Sequence, residues 1–316
     1  MCRQALSKLI AMSRETKAQE ATVEYLARNM KGLVKTADKV IICFREQRSG
    51  SLGDLFARAV TRCGGVPVLW GPDRRWKTLL QQAFYSRATV IVGPPLVILG
   101  LSKLKKHTGL PLYIRHVVTA DYPCMDWVIE GIQHGFDCVG WGSFGIYTTG
   151  VVAGFSCDKS LGVHLREDVY GLDVLDSQGN SLCDGQTGQL AIYPKAEPQL
   201  RYKTGEIGRL ERTPCSCGCT SPRIVDIHPG QTEDMDLLEL GQYLHSWTSV
   251  LDCRLTKGSY GLEIEMVVFP GEKMPKLPSA ARLQVKAWDP KHDEPFYYQP
   301  TFRDPEYFKI PGSGVF

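Results

Sequence analysis

The sequence predicts an α/β protein, in which a parallel sheet with crossover helices is followed by a small antiparallel β subdomain and a small C-terminal α+β domain. Three observations carry this. Short apolar runs such as Lys39–Phe44 (KVIICF) alternate with amphipathic stretches such as Ser51–Cys63 (SLGDLFARAVTRC), the spacing of strands joined in parallel by helices. From about residue 146 the helical spacing gives way to short runs joined by Gly/Asp turns, for example Asp176-Ser177-Gln178-Gly179, which suits antiparallel strands. The chain has 316 residues, 43% of them hydrophobic, enough for a sizeable core and for more than one domain.

Each element follows from local chemistry. Met1–Leu33 has apolar residues at helical spacing among Lys, Arg and Glu. Lys39–Phe44 is a buried strand, and the helix Ser51–Cys63 stops at Gly64-Gly65. Val66–Trp70 is a strand, Trp76–Tyr85 a helix, and Ala88–Val92 a strand ended by Gly93-Pro94-Pro95. Val97–His107 is a helix, Tyr113–Val118 a strand and Asp126–His134 a helix. Beyond residue 146, strands are expected at Gly162–Tyr170, Gly171–Asp176, Gly188–Tyr193 and Gly208–Arg212, with a polar turn at Arg201–Glu206. The expected domains are 1–145, 146–226 and 227–316. The tail from Asp289, rich in Pro and aromatics, is expected to be an extended arm.

Composition excludes several classes. The net charge of +3, with no long basic run, disfavours nucleic acid as a partner. The longest apolar stretch, Ala88–Leu101, is broken by Gly93-Pro94-Pro95 and is too short to span a bilayer, so no membrane partner is expected. The N-terminus MCRQALSKLIAMSRETK reads as an amphipathic helix and not as a signal peptide, so a cytoplasmic location is expected. Eleven cysteines is an odd number and a high one for a reducing compartment, where clustered thiols are better read as metal ligands or redox groups than as disulfides.

The segment Arg201–Ile224 (RYKTGEIGRLERTPCSCGCTSPRI) concentrates the chemistry. Read alone, Glu206 is a surface turn residue and Cys215, Cys217 and Cys219 are thiols in a turn with Pro214 and Gly218. Three ordered motifs change that reading: Asp184-Gly185 to Leu190, Arg201 to Arg209, and Cys215 to Ile224. Together they resemble the adenylate-forming acyl-CoA ligase superfamily, and most closely its phenylacetate–CoA ligase branch, over about Val40 to Val268.

The resemblance implies a nucleotide site and a metal site. Such enzymes make an acyl-adenylate from ATP and a carboxylic acid and pass the acyl group to a thiol. The implied ligands are ATP or AMP, a small acid of aromatic type, and CoA or another thiol acceptor. Glu206 stands where the family's acidic residue holds the ribose diol. Arg209 would supply a fixed positive charge near the phosphates. Tyr147, with Thr148 beside it, stands where an aromatic stacks on adenine, and Lys309 is the one candidate for the catalytic lysine of the C-terminal domain. The resemblance also implies a structural zinc held by Cys157, His164, Cys215 and Cys217. Cys219 is the alternative third thiol, His228 and Cys183 are further alternates, and an iron–sulfur cluster would require Cys183 to join.

The sequence also departs from the family. The Gly/Ser/Thr-rich loop ending in lysine that wraps the ATP phosphates has no counterpart, and the chain reads as beginning after it. Val151 occupies the place of the glutamate that binds magnesium, and valine cannot ligate a hard cation. Gln231 stands where the hinge motif has arginine. Two readings follow: an adenylate-forming type of enzyme that activates an acid, or a catalytically inactive member kept as a ligand-binding or protein-partner scaffold, with a homodimer as one form of partnership.

Overall fold

In a computed structural model, the described residues are 15–45, 47–120, 126–146, 151–159, 162–229, 235–258, 261–277 and 282–296. The elements are α1 (Thr16–Met30), β1 (Lys39–Ile42), α2 (Leu52–Arg62), β2 (Val66–Leu69), α3 (Trp76–Tyr85), β3 (Val90–Gly93), α4 (Pro95–Thr108), β4 (His116–Thr119), α5 (Asp126–Phe136), β5 (Val139–Ile146), β6 (Val151–Ser156), β7 (Val163–Leu165), β8 (Tyr170–Leu175), β9 (Thr187–Pro194), β10 (Tyr202–Glu211) and β11 (Arg223–Pro229). They are followed by α6 (Met235–Ser246), β12 (Val250–Gly258), β13 (Gly261–Val268) and β14 (Arg282–Ala287).

The first ten elements, α1 to β5, form the expected α/β layer. Strands β2-β1-β3-β4-β5 lie side by side and all pair in parallel. Alternation along β1 sends Val40 and Ile42 to one face and Ile41 to the other. The first face packs on α1 and α2 through Leu26, Met30, Phe56 and Val60. The second packs on α3, α4 and α5 through Trp76, Leu79, Ile98, Leu101 and Ile132. Local signals set the helix ends: the Ser51 hydroxyl accepts from the Asp54 amide at 3.4 Å, and α4 ends at Gly109 in the left-handed region, φ 68°. Pro67 is tolerated because β2 is the sheet edge.

Beyond residue 139 the structure corrects several expectations. The expected antiparallel strands are present, but not in a sheet of their own. They extend the same one, in the order β5-β6-β7-β11-β10-β9-β8, giving eleven strands in all. The expected strand Gly162–Tyr170 is only β7, because a turn at 167–169 breaks it before β8. The expected turn at Arg201–Glu206 lies almost wholly within β10, where the ladder with β9 shifts register between Lys203 and Ile207 and Gly205 takes φ 82°. Strand β11 runs from Arg223 to Pro229.

The C-terminal unit is a three-stranded sheet, β12-β13-β14, with α6 on it. Strands β12 and β13 are antiparallel, whereas β13 and β14 are parallel. Residues 289–296 are not an arm. Asp293 is buried, its carboxylate accepts from the Asp289 amide at 2.7 Å, and its carbonyl accepts from the Trp76 amide at 3.1 Å. Phe296 packs against the core of the α/β layer. The proposed Lys309 lies outside the described residues. None of the described helices is long and apolar enough to cross a membrane.

Candidate functional site

The strand order brings two distant stretches together. Cys157 follows β6, and His164 sits on β7, opposite Phe155 of β6 and Arg223 of β11. Cys215 and Cys217 lie in the turn between β10 and β11. Because β7 is flanked by β6 and β11, both turns meet at one end of the sheet. The Gly218 amide donates to the Cys215 carbonyl at 3.0 Å, closing the turn around Cys217, and Gly218 takes φ 86°, which favours glycine.

The four side chains offer one ligand atom each, all within 4.8 Å of one another. Cys157 Sγ is 3.7 Å from Cys215 Sγ, far beyond a disulfide bond of about 2.05 Å. Cys217 Sγ is 3.4 Å from His164 Nε2. Metal–sulfur bonds of about 2.3 Å and metal–nitrogen bonds of about 2.0 Å, set tetrahedrally, place sulfurs about 3.8 Å apart and sulfur and nitrogen about 3.5 Å apart. The spacing is therefore that of ligands around one small cation. His164 Nδ1 donates to the Ser221 carbonyl at 3.1 Å, which leaves the Nε2 lone pair for a metal. The Cys219 amide lies 3.4 Å from Cys217 Sγ, a donor that would stabilise a thiolate.

Without a cation, loss of hydration chiefly, with the neighbouring thiols, pushes the Cys217 thiol up to about 11. A bound cation would reverse this, since a coordinating thiol loses its proton. His164 and Cys215 are only 8% and 7% exposed, so the site is closed on the protein side and suits a structural ion better than a catalytic one with an open position. Cys219, Cys183 and His228, weighed as alternates, are not members of the cluster.

Beside this centre lies a cleft of about 670 Å³. Helix α5 contributes Asp126, Trp127 and Glu130, β5 contributes Trp141 and Phe144, and β11 contributes Asp226 and His228. Thr119 lines it at the end of β4 and Gln242 from α6, and Cys157 belongs to both the cleft and the metal centre. Two hydrogen bonds fix the wall: the Thr119 hydroxyl donates to the Trp141 carbonyl at 3.0 Å, and the Gly142 amide donates to the Ser156 hydroxyl at 2.7 Å. Among the described residues, no lysine or arginine lines the cleft.

The nucleotide residues expected from the sequence divide. Tyr147 and Thr148 lie outside the described residues. Glu206 is buried, 3% exposed, on β10 opposite Pro229, one rung from the pair Ile207–His228 that reaches the cleft. Its amide donates to the Thr204 hydroxyl at 3.2 Å. Arg209 is held by two carboxylates, donating through Nε to Asp226 at 2.6 Å and through its terminal nitrogen to Glu211. Those partners raise its pKa further and occupy its charge. The sequence pattern does not single out Trp127 and Trp141, which are scattered in the chain, yet both line the cleft.

No known family profile and no curated protein sequence matches the chain. Solved structures do. A 2-hydroxyisobutyryl-CoA ligase in the postadenylation state, bound to 2-HIB-AMP, matches 92% of this chain and 70% of its own length, with a TM-score of 0.67 at 13% identity. The chain has the fold of the adenylate-forming acyl-CoA ligases. An anthranilate CoA ligase, AuaEII, in complex with anthranoyl-AMP matches 85% of this chain and 59% of its own length, with a TM-score of 0.56 and 13% identity. A benzoate CoA ligase from Burkholderia xenovorans LB400 matches 84% of this chain and 62% of its own, with a TM-score of 0.53 and 14% identity. The present chain thus spans less than two thirds of the aryl-acid ligases that share its fold.

Proposed function

We propose that this chain is an adenylate-forming-type protein that binds a flat aromatic ligand, an adenine nucleotide or an aromatic acid, in the cleft beside a structural zinc, without ordinary adenylation. The observation that carries the reading is the cleft itself. It is walled by Trp127, Trp141 and Phe144 and adjoins β10, the strand of Glu206. Relatives in fold hold acyl-adenylates, 2-HIB-AMP in one and anthranoyl-AMP in another.

Charge argues against turnover. Among the described residues, the cleft is lined by the acidic Asp126, Glu130 and Asp226 and by no lysine or arginine, and Arg209 is already committed to Asp226 and Glu211. A triphosphate with a developing charge needs cations at the reacting centre, and that neutralisation contributes several kcal/mol to such reactions. The metal is assigned as zinc because three thiols and one imidazole in tetrahedral spacing suit it. Zinc there would join the β6–β7 turn to the β10–β11 turn and hold the cleft wall that contains Cys157, without touching the chemistry.

Calorimetric titration of the zinc-replete protein with AMP and with ATP·Mg²⁺ tests the proposal. Binding of AMP that Glu206→Ala weakens is the expected result. Pyrophosphate release with an aryl acid would overturn the non-catalytic part, and no response to AMP, phenylacetate or benzoate would overturn ligand binding.

A further inference from the structure

Away from the cleft, the half-buried Lys103 turns its ammonium onto the C-terminal unit. Lys103 projects from α4 and its ammonium donates to three backbone carbonyls: His245 at 2.8 Å, Trp247 at 3.3 Å and Val250 at 2.7 Å. These carbonyls form the C-terminal end of α6 and the turn into β12. The last carbonyls of a helix have no donors within the helix and carry the negative end of its dipole. An ammonium has three donors and no acceptor, so Lys103 meets the helix end with its whole complement. Packing reinforces the contact. The His107 ring of α4 stacks on Phe269 with centroids 4.0 Å apart and planes 7° apart, and Trp288 meets Phe269 edge-on at 5.8 Å. Leu251, Val267 and Phe269 of the C-terminal unit belong to the same core as Ile98, Leu101 and Leu104 of α4.

The capped helix is also a wall of the cleft. Gln242 of α6 lines it, and the buried His245 ring lies against Trp127, with centroids 5.9 Å apart and planes 29° apart. We propose that Lys103 is a positioning residue that pins α6 and the C-terminal sheet to α4, so that this unit is a fixed wall of the cleft and not a moving lid. The pinning stands on these contacts alone; its consequence for ligand entry rests on the cleft being the ligand site.

Hydrogen exchange read by mass spectrometry tests it on the full zinc-loaded chain. The proposal expects amides of α6 and β12 to exchange as slowly as those of α4, since they open together. In Lys103→Met, exchange in α6 and β12 should rise by roughly 100-fold while β1, β3 and α2 stay protected. Lys103→Arg, which keeps a cation and its donors, should restore part of the protection. A second readout follows the wall: the emission of Trp127, isolated by subtracting the spectrum of Trp127→Phe, should shift to the red in Lys103→Met and less so in Lys103→Arg. Wild-type exchange in α6 and β12 much faster than in α4 would overturn the pinning, even if the variant fails to fold. Unchanged exchange in Lys103→Met would overturn the role of Lys103. Failure of the AMP titration would leave both outcomes readable, because neither needs a ligand.

Discussion

Cys157 and Cys215 are 58 residues apart in sequence, and their sulfurs lie 3.7 Å apart. That distance matches two ligands of one tetrahedral cation and excludes a covalent bond. With His164 and Cys217, the two thiols could hold one metal ion and so tie the β6–β7 turn to the β10–β11 turn.

Metal content should follow the four-residue set. The purified protein is expected to hold about one equivalent of zinc per chain, and Cys215→Ser should hold far less. With zinc at 100-fold above Kd, binding adds about 2.7 kcal/mol to stability. At about 2–4 °C per kcal/mol, Cys215→Ser should lower Tm by roughly 5–10 °C. Cys219→Ser should keep both the zinc and the Tm, since Cys219 is outside the cluster. Elemental analysis with thermal melting checks both, and equal metal in Cys215→Ser and wild type would refute the site.

Stability should depend on pH through Asp252. Burial, ahead of the Phe296 and Cys253 amides that donate to it, raises its pKa to about 7, whereas the unfolded chain has an ordinary carboxyl near 4. The groups around it are Lys103 from α4, whose own pKa burial lowers to about 8, Cys253 beside it on β12, and Arg254. Between pH 4 and 7 the folded state holds a proton that the unfolded state lacks. The stabilisation is therefore complete below pH 4 and is lost as pH rises through 7, by roughly 4 kcal/mol. Asp252→Asn should flatten the melting temperature across that window. A wild-type Tm that rises from pH 4 to 7 just as much as in the variant would contradict this assignment.

Ligand binding should respond to the base and sugar more than to the phosphates. AMP is expected to bind at least as well as ATP·Mg²⁺, because no lysine or arginine lines the cleft among the described residues. Glu206→Ala should weaken AMP by roughly 10–100-fold, the worth of a charge-assisted hydrogen bond to a diol. Quenching of Trp127 and Trp141 emission gives the measurement. ATP·Mg²⁺ binding far tighter than AMP would show a phosphate site that the cleft does not display.

The parallel half of the fold was legible because each strand is a continuous apolar run bounded by turns, and each helix buries one stripe. Trp76–Tyr85 has the same limits in sequence and structure. Strands β5, β6 and β11 were not read. Gly140, Gly142 and Gly145 dilute the pattern of β5, and Asp226 and His228 interrupt β11 where it turns polar side chains to the cleft. The thiol turn was legible through the spacing of Cys215 and Cys217, and Cys157 and His164 only through the family resemblance; that all four lie within reach of one ion depends on β7 lying between β6 and β11. The Lys103 clamp left no local signal, since its partners are backbone carbonyls more than 140 residues away.

A glycine constrains the four-residue cluster. Gly162 lies between Cys157 and His164 and takes φ 95°. A Cβ there would come within 2.4 Å of the Ile224 carbonyl oxygen and 2.6 Å of a Val225 methyl, where the β6–β7 turn lies against β11. Gly162→Ala must therefore adopt a left-handed backbone, costing about 1–2 kcal/mol, and also push the turn away from a rigid strand. The displacement moves Cys157 and His164 relative to Cys215 and Cys217 while leaving all four ligands chemically intact. The variant should lose zinc at least 10-fold faster to a chelator than the wild type, by roughly 1.4 kcal/mol or more of lost affinity. Gly179→Ala, at φ 90° in an open turn far from the centre, carries the same backbone strain without any contact and should keep the zinc. Equal release rates for the two variants would show that strain alone, and not the close approach of the two turns, governs the site.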